Sequence, residues 1–330
     1  MRNTQGLDHG RVPSSPQSAI RTPQSSSLLD PDFLRKLDLL EILFKRNVVG
    51  RREGDRPGHQ RGGRIEFADH REYSPGDDLR YLDWNIYGRT DRLFVKEFTK
   101  QEAALVCVLL DASASMGVGE PQKLFYAKRL AAALAYLALI GGNEAQLAVF
   151  AGRDVVWSPR HAGRPDVAGI AGFLEPVEPT GPTDLFVPLR AFRERVRERS
   201  VVVLISDLLE EGGGPRHAQG APSPPRGGQR GLRLLGAQRF DLSVLHVLSP
   251  QELHPPAVGP VLLRDAESGG GESLVVDGDA LRLYADRLNA FCEGWRAFCQ
   301  RHDVRYVQTS TAAPFEECVL GYLRRGGLVR

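Results

Sequence analysis

Residues 104–117 read ALVCVLLDASASMG, a continuous apolar run that ends in small oxygen-bearing side chains. An apolar run of this length without alternation is typical of a strand that is buried on both faces of a parallel sheet. Similar runs follow at residues 145–150 (AQLAVF), 201–205 (VVVLI) and 241–248 (DLSVLHVL). The stretch therefore predicts the first of several buried parallel strands.

Helical patterns occupy the intervals between these runs, with apolar residues recurring on one face at the spacing of an α-helix. In two intervals the apolar faces consist of Leu130, Leu134 and Leu137, and of Leu185, Leu189, Phe192 and Val196. Two further helices are predicted at residues 282–302 and 314–325, with a strand at residues 304–309 between them. Alternating strands and helices predict an α/β fold with a mostly parallel central sheet and helices on both faces.

Other segments precede or interrupt this pattern. Residues 1–28 are rich in Ser, Gln and Pro and carry too little apolar area to offset the entropy of ordering, so we predict a disordered tail. Residues 29–100 are predicted to hold a helix, a basic glycine-rich loop and a β-rich segment. Residues 101–330 form the predicted α/β domain, which a mobile Gly-, Pro- and Arg-rich loop interrupts at about residues 210–231.

The helix predicted in the second segment begins at Pro31 and is amphipathic. Its apolar face consists of Phe33, Leu34, Leu37, Leu40 and Leu43. We expect this face to pack on the α/β domain.

Composition excludes several classes of protein. Lys and Arg number 43 against 41 acidic residues, and the net charge of +2 creates no general field for nucleic acid or membranes. The four cysteines lack the spacing of a zinc site and are predicted to be reduced core thiols. The N-terminus has no signal-peptide pattern, and the longest apolar stretch, residues 130–140, is too short to span a bilayer. We therefore predict a cytoplasmic protein without a membrane span.

Nucleic-acid binding remains one alternative. The basic segment contains Arg51, Arg52, Arg56, Arg61 and Arg64. These arginines could contact phosphates, and such binding would be strongly salt-sensitive. Because the net charge is close to neutral and a solvated loop explains the segment much better, we predict no nucleic-acid partner.

The residues that follow the first buried strand form a candidate site. Ligands in open parallel sheets collect beyond the carboxyl ends of the strands. Asp111, Ser113 and Ser115 alternate there, so an extended loop would direct all three side chains to one side. Hard oxygen ligands of this kind suit Mg²⁺ or Mn²⁺.

Two later stretches would join this site if their strand-to-helix loops are neighbours. Thr183 lies in PTGPTDL (residues 179–185), where its hydroxyl could instead cap a helix in competition with Asp184. Asp207 follows the apolar run at residues 201–205, and its alternative role is also that of a helix N-cap.

This three-part pattern resembles the metal-ion-dependent adhesion site of von Willebrand factor A domains. Upstream, EFADHREYSPGDDLRYLDW (residues 66–84) and GRTDRLFVKEF (residues 88–98) resemble the signature of the bacterial domain-of-unknown-function family fifty-eight, which carries such an A domain. HVLSPQELHPP (residues 246–256) extends the resemblance towards the C-terminus. Pro182 departs from it, because family members often have glycine there.

The resemblance implies a role for each site residue. Ser113, Ser115 and Thr183 would contact the metal ion directly or through water, and Asp111 and Asp207 would hold its waters. A glutamate or aspartate of a protein partner would complete the coordination. The resemblance further implies a protein-binding adaptor, not an enzyme, that works with a MoxR-type AAA+ ATPase to assemble or activate other complexes.

The main alternative is an enzyme in which Asp111 and Asp207 hold Mg²⁺ for phosphoryl transfer or hydrolysis. Aspartyl-phosphate chemistry uses a second aspartate two residues after the nucleophile, and this chain has Ser113 there. The glycine loop after Ser115 could in principle bind a phosphate, although it lacks the GK[ST] ending of a P-loop.

A cluster of acids and arginines in residues 66–84 and just beyond is predicted to be structural. Alternating acids and arginines at a turn more often form ion pairs than a catalytic centre. The charged members are Asp77, Asp78, Asp83, Arg71, Arg80 and Arg89, and we expect Tyr73 and Trp84 to pack beside them.

Overall fold

A computed structural model describes residues 28, 30–49, 65–100, 103–163, 166–210, 226–236, 240–255, 259–264, 266 and 270–324. The strands are β1 (Ile65–Glu72), β2 (Phe94–Lys100), β3 (Leu105–Asp111), β4 (Glu144–Ala151), β5 (Asp154–Trp157), β6 (Ser200–Ser206), β7 (Phe240–Leu248), β8 (Gly259–Arg264), β9 (Gly271–Val276) and β10 (Arg305–Ser310). The helices are α1 (Pro31–Val49), α2 (Trp84–Thr90), α3 (Lys123–Ile140), α4 (Val167–Leu174), α5 (Phe186–Arg195), α6 (Arg226–Gly236), α7 (Pro250–Leu253), α8 (Gly278–Arg301) and α9 (Phe315–Arg324).

The central sheet has six strands in the order β10-β7-β6-β3-β4-β5. All neighbours are parallel except β5, which runs antiparallel to β4 at one edge. The first strand of this sheet, β3, pairs with both β4 and β6, so the strand order reverses at β3. Open α/β sheets bind ligands at such a switch point, outside the carboxyl ends of the strands. The predicted fold class, a mostly parallel α/β sheet preceded by a β-rich segment, is confirmed.

Helices cover both faces of this sheet and enclose two separate cores. Alternate residues of β3 serve the two sides, because successive side chains of a strand point to opposite faces. Val106, Val108 and Leu110 pack with α1, α3, α4 and α9. Leu105, Cys107 and Leu109 pack with α5, α6 and α8. Burial on both faces explains why β3 is apolar from Leu105 to Leu110, as its sequence predicted.

The predicted N-terminal helix is confirmed as α1, which packs on α3 and α9. Phe33, Leu37 and Leu40 are buried. The Phe33 and Phe315 rings lie 5.2 Å apart between centroids. Leu34 is 41% exposed, so it does not belong to the buried face as predicted, and the side chain of Leu43 lies outside the described residues.

The β-rich segment consists of the antiparallel pair β1–β2, with a short 3₁₀ turn and α2 between them. Two of the predicted ion pairs are present. The Arg71 guanidinium donates two hydrogen bonds to Asp77, at 2.7 and 2.8 Å. Arg80 pairs with Asp78, and Nη2 lies 2.6 Å from Oδ2. The structural interpretation of these four residues is supported by this geometry.

Other members of the cluster differ from the prediction. Asp83 caps α2 by accepting a hydrogen bond from the Asn85 N–H at 2.9 Å, and its second oxygen faces His70 and Lys96 instead of an arginine. Arg89 donates to a backbone carbonyl of its own helix. Trp84 is 65% exposed and does not pack against the cluster, because it begins the solvent face of α2.

The prediction of a loop at residues 210–231 is wrong from Arg226 onwards, because α6 begins there. Residues 211–225 lie outside the described part of the chain. The glycines that indicated a loop instead allow close helix packing. A Cβ at Gly228 would stand 2.8 Å from Cη2 of Trp295. Glu210 fixes the start of the helix, since its carboxylate accepts hydrogen bonds from the N–H groups of Gly228 and Leu185.

Other predictions concerned the N-terminal tail, the arginine-rich stretch, the cysteines and the absence of a membrane span. The tail at residues 1–28 lies, apart from Leu28, outside the described residues, as does the arginine-rich stretch at residues 51–64. All four cysteines are buried and none forms a disulfide, as expected. Among the helices within the described ranges, none is both long and apolar enough to cross a membrane.

Candidate metal centre

The loop between β3 and α3 brings the first three site residues together. The Ser113 N–H donates to Oδ1 of Asp111 at 2.9 Å, and a 3₁₀ turn over Ala114–Gly117 folds Ser115 back. The hydroxyl oxygens of Ser113 and Ser115 are 3.1 Å apart. All three side chains are buried, so the loop presents them inward at the end of the sheet.

Thr183 joins these serines across the fold. Backbone hydrogen bonds from Thr180 to Ala112 (2.8 Å) and from Ala114 to Gly181 (2.9 Å) attach its loop to the β3–α3 loop. Thr183 Oγ1 lies 3.5 Å from Ser115 Oγ. Asp184, the competitor of Thr183 for the helix cap, accepts the hydrogen bonds from the N–H groups of Phe186 and Val187 in the first turn of α5.

Asp111 and Asp207 lie at the carboxyl ends of the neighbouring strands β3 and β6. The Ser206 hydroxyl donates to Oδ2 of Asp111 at 2.6 Å, which holds Asp111 in place from the adjacent strand. Asp207 Oδ1 accepts from the Leu209 N–H at 3.1 Å in an extended turn, so Asp207 does not cap a helix in the described residues. Burial, and then the charge of Asp207, raise the pKa of Asp111 well above its usual range.

Lys123 is a component of this region that the sequence analysis did not assign. Its ammonium donates to Oδ2 of Asp207 at 2.7 Å and to Oε1 of Glu252 at 2.5 Å. Lys123 and Asp207 are fully buried, and Glu252 is partly buried, with 16% of its side chain exposed. The sequence signals were a lysine after a glycine-rich turn and a glutamate in HVLSPQELHPP, but neither has the spacing of a recognised ligand set.

The helix that carries Glu252 is attached to the β3–α3 loop at several points. Gln251 accepts a hydrogen bond from the Glu120 N–H at 3.1 Å and donates one to the Glu120 carbonyl at 3.0 Å. Ser249 and Glu252 form a reciprocal capping box at the start of α7. Gly119 adopts a φ of +101°, and a Cβ there would lie 2.5 Å from that of Ser249, so this approach requires glycine.

The three hydroxyls have the spacing that a small divalent cation requires. In an octahedron with metal–oxygen bonds of about 2.1 Å, adjacent oxygens stand about 3 Å apart. The Ser113–Ser115 separation of 3.1 Å is close to that value, and the Ser115–Thr183 separation of 3.5 Å would need to shorten by about half an ångström. The site residues therefore fit a magnesium or manganese ion.

The charges around the hydroxyls also fit a divalent cation. When all three carboxyl groups of Asp111, Asp207 and Glu252 are ionised, they and the Lys123 ammonium leave two net negative charges. Buried charge of this kind is expensive unless it is compensated, and one divalent ion would compensate it. The described part of the chain has no group of three or more His, Cys, Asp or Glu side chains arranged for a metal, so a metal here depends on hydroxyls.

The fold and this centre define the chain as a doubly wound α/β domain with a candidate divalent-metal site at its topological switch point. The family described as "Protein of unknown function DUF58" matches residues 69–290. The chain belongs to this family. Two relatives are uncharacterized proteins, Mb1516 of Mycobacterium bovis and Rv1480 of Mycobacterium tuberculosis; each is 30% identical over 253 residues, covering 75% of both chains.

Several solved structures have weak overall similarity. The conserved hypothetical protein BatB from Bacteroides thetaiotaomicron has a TM-score of 0.41 at 16% identity, covering 68% of this chain and 98% of its own. The SpRpn10 VWA domain has a TM-score of 0.37 at 11% identity, covering 66% and 94%. The vWF domain of the pilus tip protein Mfa5 from Porphyromonas gingivalis has a TM-score of 0.34 at 14% identity, covering 68% and 96%.

Proposed function

We propose that this chain is a metal-dependent protein-binding adaptor of the von Willebrand factor A type. The observation that carries the proposal is the convergence of Ser113, Ser115 and Thr183 beside two fixed carboxylates. Three neutral hydroxyls donate little charge to a cation, so an Mg²⁺ or Mn²⁺ ion bound there stays electrophilic. A glutamate or aspartate side chain from a partner protein is the ligand that would complete such an ion's coordination.

The wider role that we propose follows from the resemblance described above. The adaptor works in the cytoplasm beside a MoxR-type AAA+ ATPase and helps to assemble or activate other protein complexes. The adaptor recognises its partner protein by an acidic side chain, and the ion bridges the two proteins.

The geometry of Asp111 favours binding over the enzymatic alternative. An aspartate that acts as a nucleophile on phosphate needs a carboxylate oxygen that is free to attack. Both oxygens of Asp111 are engaged, because Oδ1 accepts a hydrogen bond from the Ser113 N–H and Oδ2 accepts one from the Ser206 hydroxyl. The ammonium of Lys123 is likewise paired with Asp207 and Glu252, which argues against phosphate binding at the glycine loop.

The proposal is tested first by metal binding and then by partner capture. Wild-type protein should bind Mn²⁺ in a calorimetric titration and should retain partner proteins from a cell extract in Mg²⁺ but not in EDTA. Asp111→Asn should remove both properties and keep the circular dichroism spectrum, because the amide preserves the shape of the carboxylate. The matched control is Asp241→Asn, which alters an exposed carboxylate paired with Arg305 at the amino end of β7.

Two results would count against the adaptor. Retention of the same partners in EDTA would show that partner binding does not require a divalent metal ion. Magnesium-dependent hydrolysis of p-nitrophenyl phosphate that disappears in Asp111→Asn would replace binding by the enzymatic alternative.

A further inference from the structure

Two members of the ion-pair group, Lys123 and Glu252, are not used by the proposed function, whereas the third, Asp207, belongs to the candidate site. A lysine is almost never fully buried unless it is paired, and here two carboxylates are within hydrogen-bond distance of its ammonium. The group adjoins the candidate metal site directly, because Asp207 is a member of both. Its charges therefore act on any cation among the hydroxyls.

The location of Lys123 makes this ion-pair group unusual. Lys123 is the first residue of α3, and the amino end of a helix carries partial positive charge. A cation there is disfavoured by the helix dipole and by desolvation. The ammonium of Lys123 experiences both effects and also contacts Asp207, which is proposed to hold waters of the ion. The second carboxylate, Glu252, offsets these costs from α7.

We propose that Lys123 and Glu252 set the affinity of the site for its divalent cation. Lys123 weakens binding by neutralising Asp207, and Glu252 strengthens it by neutralising Lys123. Because Glu252 belongs to α7, the affinity depends on the position of that helix against the β3–α3 loop. This inference rests on the proposed function, since it assumes that an ion binds beside Ser113, Ser115 and Thr183.

The test is a set of charge variants in the full chain, measured by the Mn²⁺ affinity from the electron paramagnetic resonance signal of unbound Mn²⁺. Glu252→Gln should weaken binding by about tenfold, because one negative charge is lost. Lys123→Met should strengthen it by about tenfold. The double variant removes one charge of each sign and should bind at least as tightly as wild type, so that Lys123→Met rescues Glu252→Gln.

A matched control separates this effect from the general loss of a buried lysine. Lys128 lies on the same helix, is also buried, and donates to the Glu175 carbonyl at 3.1 Å instead of to a carboxylate. Lys128→Met should leave the Mn²⁺ affinity unchanged within about threefold. Lys123→Met leaves two carboxylates, Asp207 and Glu252, without their counter-charge, whereas the double variant leaves only Asp207. The rescue therefore remains measurable in the double variant if Lys123→Met alone fails to fold.

The outcomes distinguish the two proposals. Rescue in the double variant supports the inference. A double variant that binds no more tightly than Glu252→Gln, while wild type binds Mn²⁺, overturns the inference alone and leaves the ion pairs as a structural attachment of α7. Absence of Mn²⁺ binding in wild type overturns the metal-dependent function and this inference with it.

Discussion

Ser206, at the end of β6, holds a candidate-site residue of the neighbouring strand β3 in place. Its hydroxyl donates to Oδ2 of Asp111 and accepts from the Leu208 N–H at 2.9 Å. It therefore fixes the carboxylate of β3 and the turn that carries Asp207 at the same time. Ser206 is a positioning residue, since it acts on the proposed ion only through Asp111.

We expect Ser206→Ala to lower the free energy of unfolding by about 2 kcal/mol, because a buried carboxylate oxygen loses a hydrogen bond. The Mn²⁺ affinity should fall as well, since Asp111 is no longer held in one orientation. The matched control is Ser243→Ala, which removes a buried hydroxyl bonded to Tyr322 and Arg305. It should cost similar stability without changing Mn²⁺ affinity. Equal Mn²⁺ affinities in wild type and Ser206→Ala would contradict the positioning role.

The ligand residues of the proposed site could be named from the sequence, but their ionic surroundings could not. Asp111, Ser113 and Ser115 form a local pattern, and each later member follows a recognisable strand or turn. Lys123 and Glu252 are 129 positions apart in the chain. Their contact depends on how α7 docks, which no local spacing reveals.

At the level of elements, α6 is a helix in spite of its composition. Gly227, Gly228 and Gly231 disfavour an isolated helix, yet the close packing that they permit places α6 against α5 and Trp295. Tertiary packing therefore overrides the local preference that predicted a loop.

Gly228→Ala tests this explanation. The added Cβ would meet Cη2 of the fully buried Trp295 at 2.8 Å, so we expect a loss of about 1–3 kcal/mol in the free energy of unfolding. Gly236→Ala is the control in the same helix, because its nearest neighbour, the His302 carbonyl, is 4.0 Å away. The control should be neutral or slightly stabilising. Urea denaturation measures both, and equal stabilities would show that Gly228 is not needed for packing.

Four of the predicted strands share burial on both faces, which the strands that were missed lack. The strands β3, β4, β6 and β7 are buried on both faces, so each is a continuous apolar run. By contrast β5 alternates between half-buried and exposed positions, and the β8–β9 pair is interrupted by charged residues and glycines. Antiparallel edge and hairpin strands of this kind leave only a weak signal in a single sequence. The parallel edge strand β10 was nevertheless predicted.

For the molecule as a whole, the two cores predict how its cysteines react. All four cysteines are buried, and burial raises the pKa of the thiols of Cys107 and Cys299 to about 12 and that of Cys292 to about 11. Because the thiolate is the reactive form, alkylation at pH 8 should be at least about a hundredfold slower in the native protein than in urea. Mass spectrometry of iodoacetamide-treated protein measures the rates. Rapid modification of any native cysteine would show that its core opens locally.

The overall architecture followed from the sequence because alternation of strands and helices leaves few topologies. The predicted division at residue 100 stays a prediction. Across that division, α1 contributes Phe33, Leu37 and Leu40 to the core that also contains α3 and α9. The sequence showed that α1 is amphipathic but contained no information on which helices receive its apolar face.

The strand order also determines when a growing chain can complete its candidate site. During synthesis β3 emerges from the ribosome before β6, its hydrogen-bonded neighbour in the finished sheet. Until β6 emerges, one edge of β3 has no strand beside it, and Asp111 lacks both Ser206 and Asp207. The full set of proposed ligand residues therefore exists only after β6 and Asp207 have been synthesised.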